Sequence, residues 1–363
     1  MTEQDALVAL NAIPGLGSGR IRKLVDHLGS ARQFFKLSRK DLTGGFLFSE
    51  NALKKICEFD RDIFLQNEYN LIHSHQARVA TFYDAEYPEH LKNIPGAPVV
   101  LYLKGTLPAE PGLAIVGSRQ ASIYGLTTAE KFSGRLAELG IAVVSGMARG
   151  IDTASHRGCL RAGGNTVAVL GSGLADIYPL ENTDLFKQIA EQGCVVSEFP
   201  MATPPVAFNF PARNRIISGL SWAVLVIEAT LTSGSLITAD FALEQGKEVF
   251  AVPGKIDDPR AQGTNRLIKQ GAKIITSFDD ILEELKPQLR ASLPQEESQN
   301  ALNEKGLAPE EAAVAAALGR EPLHIDDVVL KSRRPLAEVT GILLTLELKR
   351  RVKQLPGKYF VRA

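Results

Sequence analysis

The stretch that decides the fold is LAIVGSRQASIYGLTTAEKFSGRLAELGIAVVSGMARG, residues 113–150. It begins with a continuous apolar run, continues as a helical pattern over Leu126–Leu139, and returns to a second apolar run. A serine and a glycine follow each run, at the point where a strand would turn toward its helix. Two buried strands joined by a helix are typical of a parallel pair with a crossover connection. The stretch therefore predicts a βαβ unit with small residues at both strand ends.

The same alternation continues to about residue 285. Apolar, β-rich runs occur at Leu113–Gly117, Ala142–Gly146, Thr166–Gly171, Cys194–Ser197, Ala223–Glu228, Glu248–Val252 and Lys273–Thr276. Helical patterns lie between most of them, at Leu126–Leu139, Thr153–Ala162, Thr183–Glu191 and Ser235–Gln245. Apolar strands that alternate with helices predict an α/β fold with a doubly wound, mainly parallel sheet covered on both faces. Ligands of such folds bind outside the carboxyl ends of the strands.

The first block, about residues 1–85, has helical patterns. Helices predicted at Asp5–Asn11 and Ser18–Leu28 flank a Gly-x-Gly turn, the pattern of a helix-hairpin-helix. The amides at the start of the second helix could hold a phosphate. Alternatively, the hairpin serves only the stability of the block, and the sequence does not decide between the two.

A polar stretch from Pro287 to Pro309 lacks aromatic residues and apolar periodicity, so it predicts a flexible linker. Three helical patterns and two β-like pieces follow, which together predict a small winged helix: Glu310–Leu318, Ile325–Lys331, Pro335–Lys349, Val352–Leu355 and Tyr359–Val361. The predicted domains are thus a helical block at 1–85, an α/β domain at 86–285, a linker at 286–308 and a winged helix at 309–363.

Composition excludes several classes of protein. Among 363 residues, 45% are hydrophobic and 23% charged, which excludes a wholly disordered or fibrous chain. The 41 basic and 41 acidic side chains cancel, so the chain is not built to bind nucleic acid over its whole surface, although a local basic cleft remains open. No apolar run approaches the ~18 residues that a membrane span needs.

The N-terminal residues and the cysteine content indicate the cellular compartment. The first residues, MTEQDALVAL, are acidic and resemble no secretory signal, so we expect a cytoplasmic protein. Cys57, Cys159 and Cys194 are far apart in sequence and form no Cys-x-x-Cys motif. We expect all three to be buried free thiols in a reducing cytosol, with no metal site.

The candidate site residues follow the predicted strands and begin the next helices. They are glycines, small hydroxyl residues and four arginines, in the segments Gly117-Ser118-Arg119, Gly146–Gly150 with Met147 and Arg149, Gly171–Gly173, Phe210 with Arg213-Asn214-Arg215, and Thr232-Ser233-Gly234-Ser235. We expect their amides and the four arginines to converge along one edge of the sheet, where they would bind phosphate oxygens. Neither the G-x-G-x-x-G fingerprint nor a Walker A loop is present.

Residues for catalysis are harder to find. His156, Asp152 and Glu228 are the acid-base candidates near this edge, and no matched carboxylate pair or metal cluster accompanies them in the sequence. We therefore expect a binding protein without catalytic residues or a cofactor.

The central motifs resemble the DprA/Smf family (DNA processing protein A), which serves natural transformation. The matching segments are AIVGSRQASIYG, VVSGMARGIDTASHRGCL, AVLGSGLADIYPLEN, SEFPMATPPVAFNFPARNRIISGLS and VIEATLTSGSLITADFALEQGKEVFAVPG. They occur in the family's order and spacing over about residues 80–285. The flanking blocks resemble that family's SAM-like/helix-hairpin-helix start and winged-helix end.

The resemblance implies an extended Rossmann fold that binds single-stranded DNA without a cofactor and forms a homodimer through that domain. It implies protection of incoming single strands and help in loading the RecA recombinase. Carried over by motif, the DNA-binding residues are Gly117, Ser118, Arg119, Gly146, Met147, Arg149, Gly150, Phe210, Arg213, Asn214, Arg215, Thr232, Ser233, Gly234 and Ser235. Phe210 is the candidate to stack on a base. The resemblance leaves two roles open for the winged helix, as a protein-interaction module or as a second DNA contact.

Two other functions compete with this one. The first is a nucleotide-processing enzyme like the cytokinin-activating phosphoribohydrolases, which share the general fold. Their P-G-G-x-G-T-x-x-E signature is absent; the nearest segment, residues 232–238, lacks the paired glycines and the glutamate. The second is a scaffold, in which the hairpin and the winged helix carry the contacts.

Overall fold

The computed structural model describes residues 1–45, 48–292, 309–319, 322–348, 352–355 and 357–362. The chain forms two compact units, residues 1–286 and 287–363. The first unit contains a nine-stranded sheet and the second a three-stranded sheet.

The larger sheet is mainly parallel, as predicted. Its strands are β1 (Arg78–Thr81), β2 (Val100–Gly105), β3 (Gly112–Val116), β4 (Val143–Ser145), β5 (Thr166–Val169), β6 (Cys194–Ser197), β7 (Ser221–Val226), β8 (Glu248–Ala251) and β9 (Lys273–Ile274). Their order is β1-β2-β6-β5-β4-β3-β7-β8-β9. In this order, every pair of neighbouring strands in β6-β5-β4-β3-β7-β8-β9 is parallel. β2 is antiparallel to both β1 and β6. The sequence predicted β3 to β9 but neither β1 nor β2.

Helices cover both faces of this sheet. In the first unit they are α1 (Glu3–Ala12), α2 (Ser18–Leu28), α3 (Ala31–Phe34), α4 (Arg39–Gly45), α5 (Glu50–Glu58), α6 (Arg61–Ser74), α7 (Glu89–Lys92), α8 (Ile123–Glu138), α9 (Ile151–Arg161), α10 (Thr183–Gln192), α11 (Asn209–Gly219), α12 (Gly234–Glu244), α13 (Gln262–Lys269) and α14 (Phe278–Ser292). The four predicted crossover helices correspond to α8, α9, α10 and α12. Two short 3₁₀ turns lie at Leu180–Asn182 and Pro259–Ala261.

The strand order creates a crevice beside β3. From β3 the chain adds β4, β5 and β6 on one side, and then returns to place β7 on the other side. The loops that follow β3 and β7 therefore lead to helices that run away from each other. Such a switch point, at the carboxyl ends of the strands, is where open α/β sheets bind ligands.

The N-terminal helices share a hydrophobic core with the sheet. Leu7, Leu10 and Ile21 belong to the same buried cluster as Tyr102 of β2 and Val195 of β6. A second core covers the other face of the sheet. The helical block is thus packed into the α/β unit, although the sequence suggested a separate domain; a boundary at residue 85 stays a prediction.

The predicted helical hairpin is present as α1 and α2. Gly15, in the turn between them, has φ +89°, a conformation that favours glycine. Whether this hairpin binds DNA stays a prediction. At the other end of the unit, α14 continues to Ser292, into the segment predicted as a linker; residues 293–308 of that segment lie outside the described residues.

The second unit is a winged helix, as predicted. Its elements are α15 (Pro309–Ala317), β10 (Leu323–His324), α16 (Ile325–Ser332), α17 (Leu336–Leu348), β11 (Val352–Leu355) and β12 (Tyr359–Arg362). The strands pair antiparallel in the order β10-β12-β11. Val314, Val339, Leu343 and Phe360 form its core. The sequence missed only β10, which is two residues long.

The cysteines are free, and two of the three are buried as expected. Burial raises the pKa of the Cys159 and Cys194 thiols to about 12. Cys57 is exposed, so the expectation of a buried thiol is wrong there.

Within the described residues, none of the helices combines the length and the apolar character needed to cross a bilayer.

Candidate nucleic-acid-binding site

A cleft of about 400 Å³ lies at the carboxyl end of β3, at the switch point. It is bounded by the loop after β3, the start of α9, the first turns of α11 and the beginning of α12. The predicted residues that it brings together are Gly117, Ser118, Arg119, Phe210, Arg213, Asn214, Ser233, Gly234 and Ser235.

Glycines bring two loops into contact at the edge of this cleft. A Cβ on Gly117 would lie 2.7 Å from Cγ1 of Ile151, and a Cβ on Gly150 would lie 2.2 Å from the carbonyl oxygen of Ser118. Gly150 also has φ +76°. The Ser118 carbonyl accepts a hydrogen bond from the amide of Ile151, at 3.2 Å. The two loops are therefore held so that Ser118 and Arg119 border the cleft.

Arg213 lies at the floor of the cleft and is only 3% exposed. Its Nη1 donates hydrogen bonds to the carbonyl of Gly146, at 2.8 Å, and to the carbonyl of Val169, and its Nε donates to Oδ1 of Asn214, at 3.2 Å. The guanidinium thus joins the ends of β4 and β5. Burial lowers its pKa to about 10, an effect that the nearby Asp152 carboxylate opposes. Arg213 therefore has a structural role that the sequence did not indicate.

Asp152 is the buried acidic partner of this arginine. Its Oδ2 accepts hydrogen bonds from the amides of Gly146, at 3.2 Å, and Ala148, at 3.3 Å. Burial raises the pKa of the carboxyl to about 6, although the Arg213 charge and the two amides lower it. The floor of the cleft thus contains buried charges of both signs, whereas the sequence predicted a neutral-to-positive lining rich in amide donors.

Met147 occupies the same turn but does not present its side chain to the cleft. It has φ +55°, and its side chain is fully buried in the core shared with the N-terminal helices. Its carbonyl accepts a hydrogen bond from Asn182 Nδ2, at 2.9 Å. Any contact of Met147 with a ligand would therefore use its backbone.

Arg119 and Phe210 form the open side of the cleft. Arg119 is exposed, and its Cζ lies 5.4 Å from the centroid of the half-buried Phe210 ring. Gly171 leaves room for that ring, since a Cβ there would lie 2.7 Å from Phe210 Cδ1. On another side the ring contacts Tyr178, with the centroids 5.6 Å apart. A guanidinium and an aromatic ring thus lie together, as sites for single-stranded nucleic acid require.

The other two arginines do not join the cleft. Arg149 forms an ion pair with Glu181, with Nη2 and Oε2 3.0 Å apart. Arg215 forms a two-bond ion pair with Glu198, at 2.6 and 2.5 Å. Residues two apart on a helix point in different directions, which separates Arg215 from Arg213. The expected convergence of four arginines is therefore wrong for Arg149 and Arg215.

The start of α12 closes the cleft with hydroxyls and amides. Ser233 caps the helix, and its hydroxyl lies 2.8 Å from that of Ser235. The carbonyl of Gly234 accepts a hydrogen bond from Asn214 Nδ2, at 3.1 Å, which ties α12 to α11. The first amides of a helix attract anions. Thr232 is exposed and does not line the cleft.

Some lining residues were absent from the predicted set. Gln120 and Thr230 also line the cleft, next to the predicted segments, and Ile237 and Thr238 line it one turn further along α12. A wider window around each motif would have included Gln120 and Thr230. Nothing in the sequence pattern distinguishes the α12 residues, because their exposure depends on where α11 packs.

The acid-base candidates are each engaged in structural contacts. His156 is fully buried, its Nδ1 lies 2.7 Å from Thr166 Oγ1, and burial lowers its pKa to about 3. Glu228 accepts hydrogen bonds from the amide and the hydroxyl of Ser122. Across the described part of the chain, no group of three His, Cys, Asp or Glu side chains is arranged to hold a metal ion.

Two family models match parts of this chain. Residues 78–286 match the family model for DNA recombination-mediator protein A, and residues 298–358 match the DprA winged helix domain. Protein Smf of Escherichia coli is 44% identical over 278 residues, covering 75% of this chain and 74% of that protein. Protein Smf of Synechocystis is 34% identical over 99% of both chains.

Solved structures that superpose on this chain include two DNA processing proteins A. DNA processing protein A from Streptococcus pneumoniae superposes with a TM-score of 0.67 at 35% identity, covering 78% of this chain and 98% of that one. DNA processing protein A from Helicobacter pylori superposes with a TM-score of 0.53 at 28% identity, covering 58% of this chain and 97% of that one. That protein is described as having a unique single-stranded DNA binding mode. With motifs, domains and fold in agreement, the chain belongs to the DprA/Smf family of DNA-processing proteins.

Proposed function

We propose that this protein binds single-stranded DNA in the cleft at the end of β3, and that it acts by binding and not by catalysis. The observation that carries the proposal is the combination of amide donors, the exposed Arg119 and the half-buried Phe210 ring in one cleft. Phosphates would bind Arg119 and the first amides of α12, while a base stacks on Phe210. The Helicobacter relative, which is described as binding single-stranded DNA, supports this assignment.

We further propose the biological role that the family indicates. The protein would protect incoming single strands during natural transformation and help to load RecA on them, acting in the cytoplasm as a homodimer through its α/β domain. Sedimentation of the full chain tests the dimer. RecA loading is tested by the DNA-dependent ATPase activity of RecA on strands first coated with a single-strand-binding protein.

Arg119→Ala is the direct test of the cleft. The side chain is exposed and lies against the Phe210 ring at the surface, so its removal should leave the fold intact. We expect affinity for an oligo-dT strand to fall about tenfold, the factor for one charge-assisted hydrogen bond. The slope of log K against log salt should decrease by ~0.7 for each phosphate that the variant no longer neutralises. Fluorescence anisotropy at several salt concentrations measures both.

Arg161→Ala is the matched control. Arg161 is an exposed arginine at the end of α9, and a crossover helix ends near the amino edge of the sheet, away from the cleft. Its removal should change neither affinity nor salt slope. Equal behaviour of the two variants would contradict the proposed site.

A further inference from the structure

A second and larger cavity, of about 790 Å³, lies beside the cleft at the carboxyl ends of β7 and β8. Its walls are partly apolar, with Ile227, Val252 and Ala261, and its polar groups include Glu228 and Asp258. The binding of a strand in the cleft uses none of these residues.

One loop separates the two cavities. Residues 116–120 line the cleft, and residues 121–124, the next four along the chain, line the second cavity. Consecutive Cα atoms are about 3.8 Å apart, so the two cavities lie within one or two nucleotides of each other. A strand that binds Arg119 and continues toward the start of α8 would therefore pass the mouth of the second cavity.

Glu228 offers free acceptor positions to that cavity. The side chain is 6% exposed. Its Oε2 accepts a hydrogen bond from the Ser122 amide, at 2.9 Å, and its Oε1 accepts one from the Ser122 hydroxyl. A carboxylate has about four acceptor positions, so two remain for N–H groups of a ligand.

The charges that line the cavity balance in sign. Arg260 donates two hydrogen bonds to Asp258, both at 3.0 Å, so these two charges compensate each other. Glu228 and Lys255 remain, one of each sign, beside apolar walls that suit a flat ring. Tyr124 borders the cavity and is 59% exposed, and an exposed ring of this kind can stack on a base.

We propose that the second cavity receives a nucleobase with an exocyclic amino group, which donates to the Glu228 carboxylate and stacks on Tyr124. The base belongs to the nucleotide next to the one bound in the cleft, so this inference rests on the proposed function. Thymine lacks the amino group and would turn a carbonyl toward the carboxylate. The protein would therefore prefer strands that contain cytosine to strands of thymine alone.

Oligo-dC and oligo-dT of equal length test the proposal, because the two pyrimidines match in size. We expect the full-length protein to bind oligo-dC about tenfold more tightly, the factor for one hydrogen bond to a charged acceptor. Glu228→Gln should abolish most of this preference, and Tyr124→Ala should weaken binding of both strands at least fivefold. Glu191→Gln, an exposed carboxylate at the end of α10, is the control and should keep the preference.

The outcomes separate this inference from the proposed function. Equal affinity of the wild type for the two strands, or a preference that survives Glu228→Gln, overturns the base site while leaving the cleft in place. Binding of neither strand overturns both. If Glu228→Gln does not fold, Tyr124→Ala decides, because its ring is exposed; unchanged affinity for oligo-dC would refute the base site. Binding of free dCMP, but not dTMP, to Arg119→Ala would support the same base chemistry with a free nucleotide as its source.

Discussion

The buried guanidinium of Arg213 makes a large and testable contribution to stability. Arg213→Met replaces it with an uncharged side chain of similar length. The carbonyls of Gly146 and Val169 then lose a donor, and the Asp152 carboxylate loses its buried counter-charge. The variant therefore leaves the ends of β4 and β5 with unsatisfied acceptors below the cleft.

The magnitude follows from these contacts. Each of the two buried carbonyl acceptors left without a partner costs about 1–3 kcal/mol, and the Asp152 carboxylate also loses the attraction of the Arg213 charge. The two costs overlap. Asp152 also has a pKa of about 6 in the native protein, and the removal of Arg213 raises it further. The carboxyl can therefore take up a proton near neutral pH, which limits this second cost, and from the two carbonyl acceptors we expect the free energy of unfolding to fall by about 3–5 kcal/mol.

Denaturant unfolding monitored by tryptophan fluorescence measures this decrease. The chain has a single tryptophan, Trp222, which lies in β7 and reports on the unit that contains Arg213. Asp152→Asn and the double variant complete a cycle, in which we expect a coupling of at least about 1 kcal/mol. A decrease below about 1 kcal/mol for Arg213→Met, or additive effects of the two changes, would refute this account of the cleft floor.

Two further predictions concern the same loops. Burial raises the pKa of Asp152 from 3.8 to about 6, so the native protein binds the carboxyl proton more tightly than the unfolded chain does. The protonated carboxyl therefore adds to the free energy of unfolding, and this contribution is lost as pH rises from about 4 to about 6. Asp152→Asn should remove this pH dependence, a difference of about 2–3 kcal/mol between unfolding curves at the two pH values. Gly150→Ala should cost about 2–4 kcal/mol and weaken DNA binding, because a Cβ would lie 2.2 Å from the Ser118 carbonyl. Gly163→Ala is the control, because Gly163 has a similar φ of +73° and a Cβ there would have nothing within 4 Å. This variant should lower the free energy of unfolding by only about 1 kcal/mol. Equal costs for the two variants would contradict the steric explanation.

Strands β3 to β8 were predictable because each is formed around a buried apolar run. β1 and β2 were not, for two physical reasons. β1 has four residues, of which two are buried, and β2 is an apolar run beside several prolines that also suited a connecting segment. β2 depends on antiparallel pairing with β6, a segment about 90 residues away, and β1 in turn depends on pairing with β2. Local periodicity carries no signal for such a pairing.

The candidate site was predicted in part. The glycine and serine turns at strand ends met at one edge because parallel strands all end there, and this follows from the chain's alternation alone. The four arginines looked equivalent in sequence, yet one is exposed beside an aromatic ring, one is buried against carbonyls and two are in ion pairs. The two glutamates that pair with them lie 32 and 17 residues away in sequence.

By itself, the sequence determined the class of fold, the edge of the sheet where the candidate cleft lies and the family, since these depend on strand order and on motifs of a few consecutive residues. Only the tertiary structure decided which charges can meet a ligand. An arginine is available for a phosphate when no carboxylate or carbonyl has been brought against it, and that depends on the packing of distant segments. Arg119 meets this condition at the mouth of the cleft, whereas Arg149 and Arg215 do not.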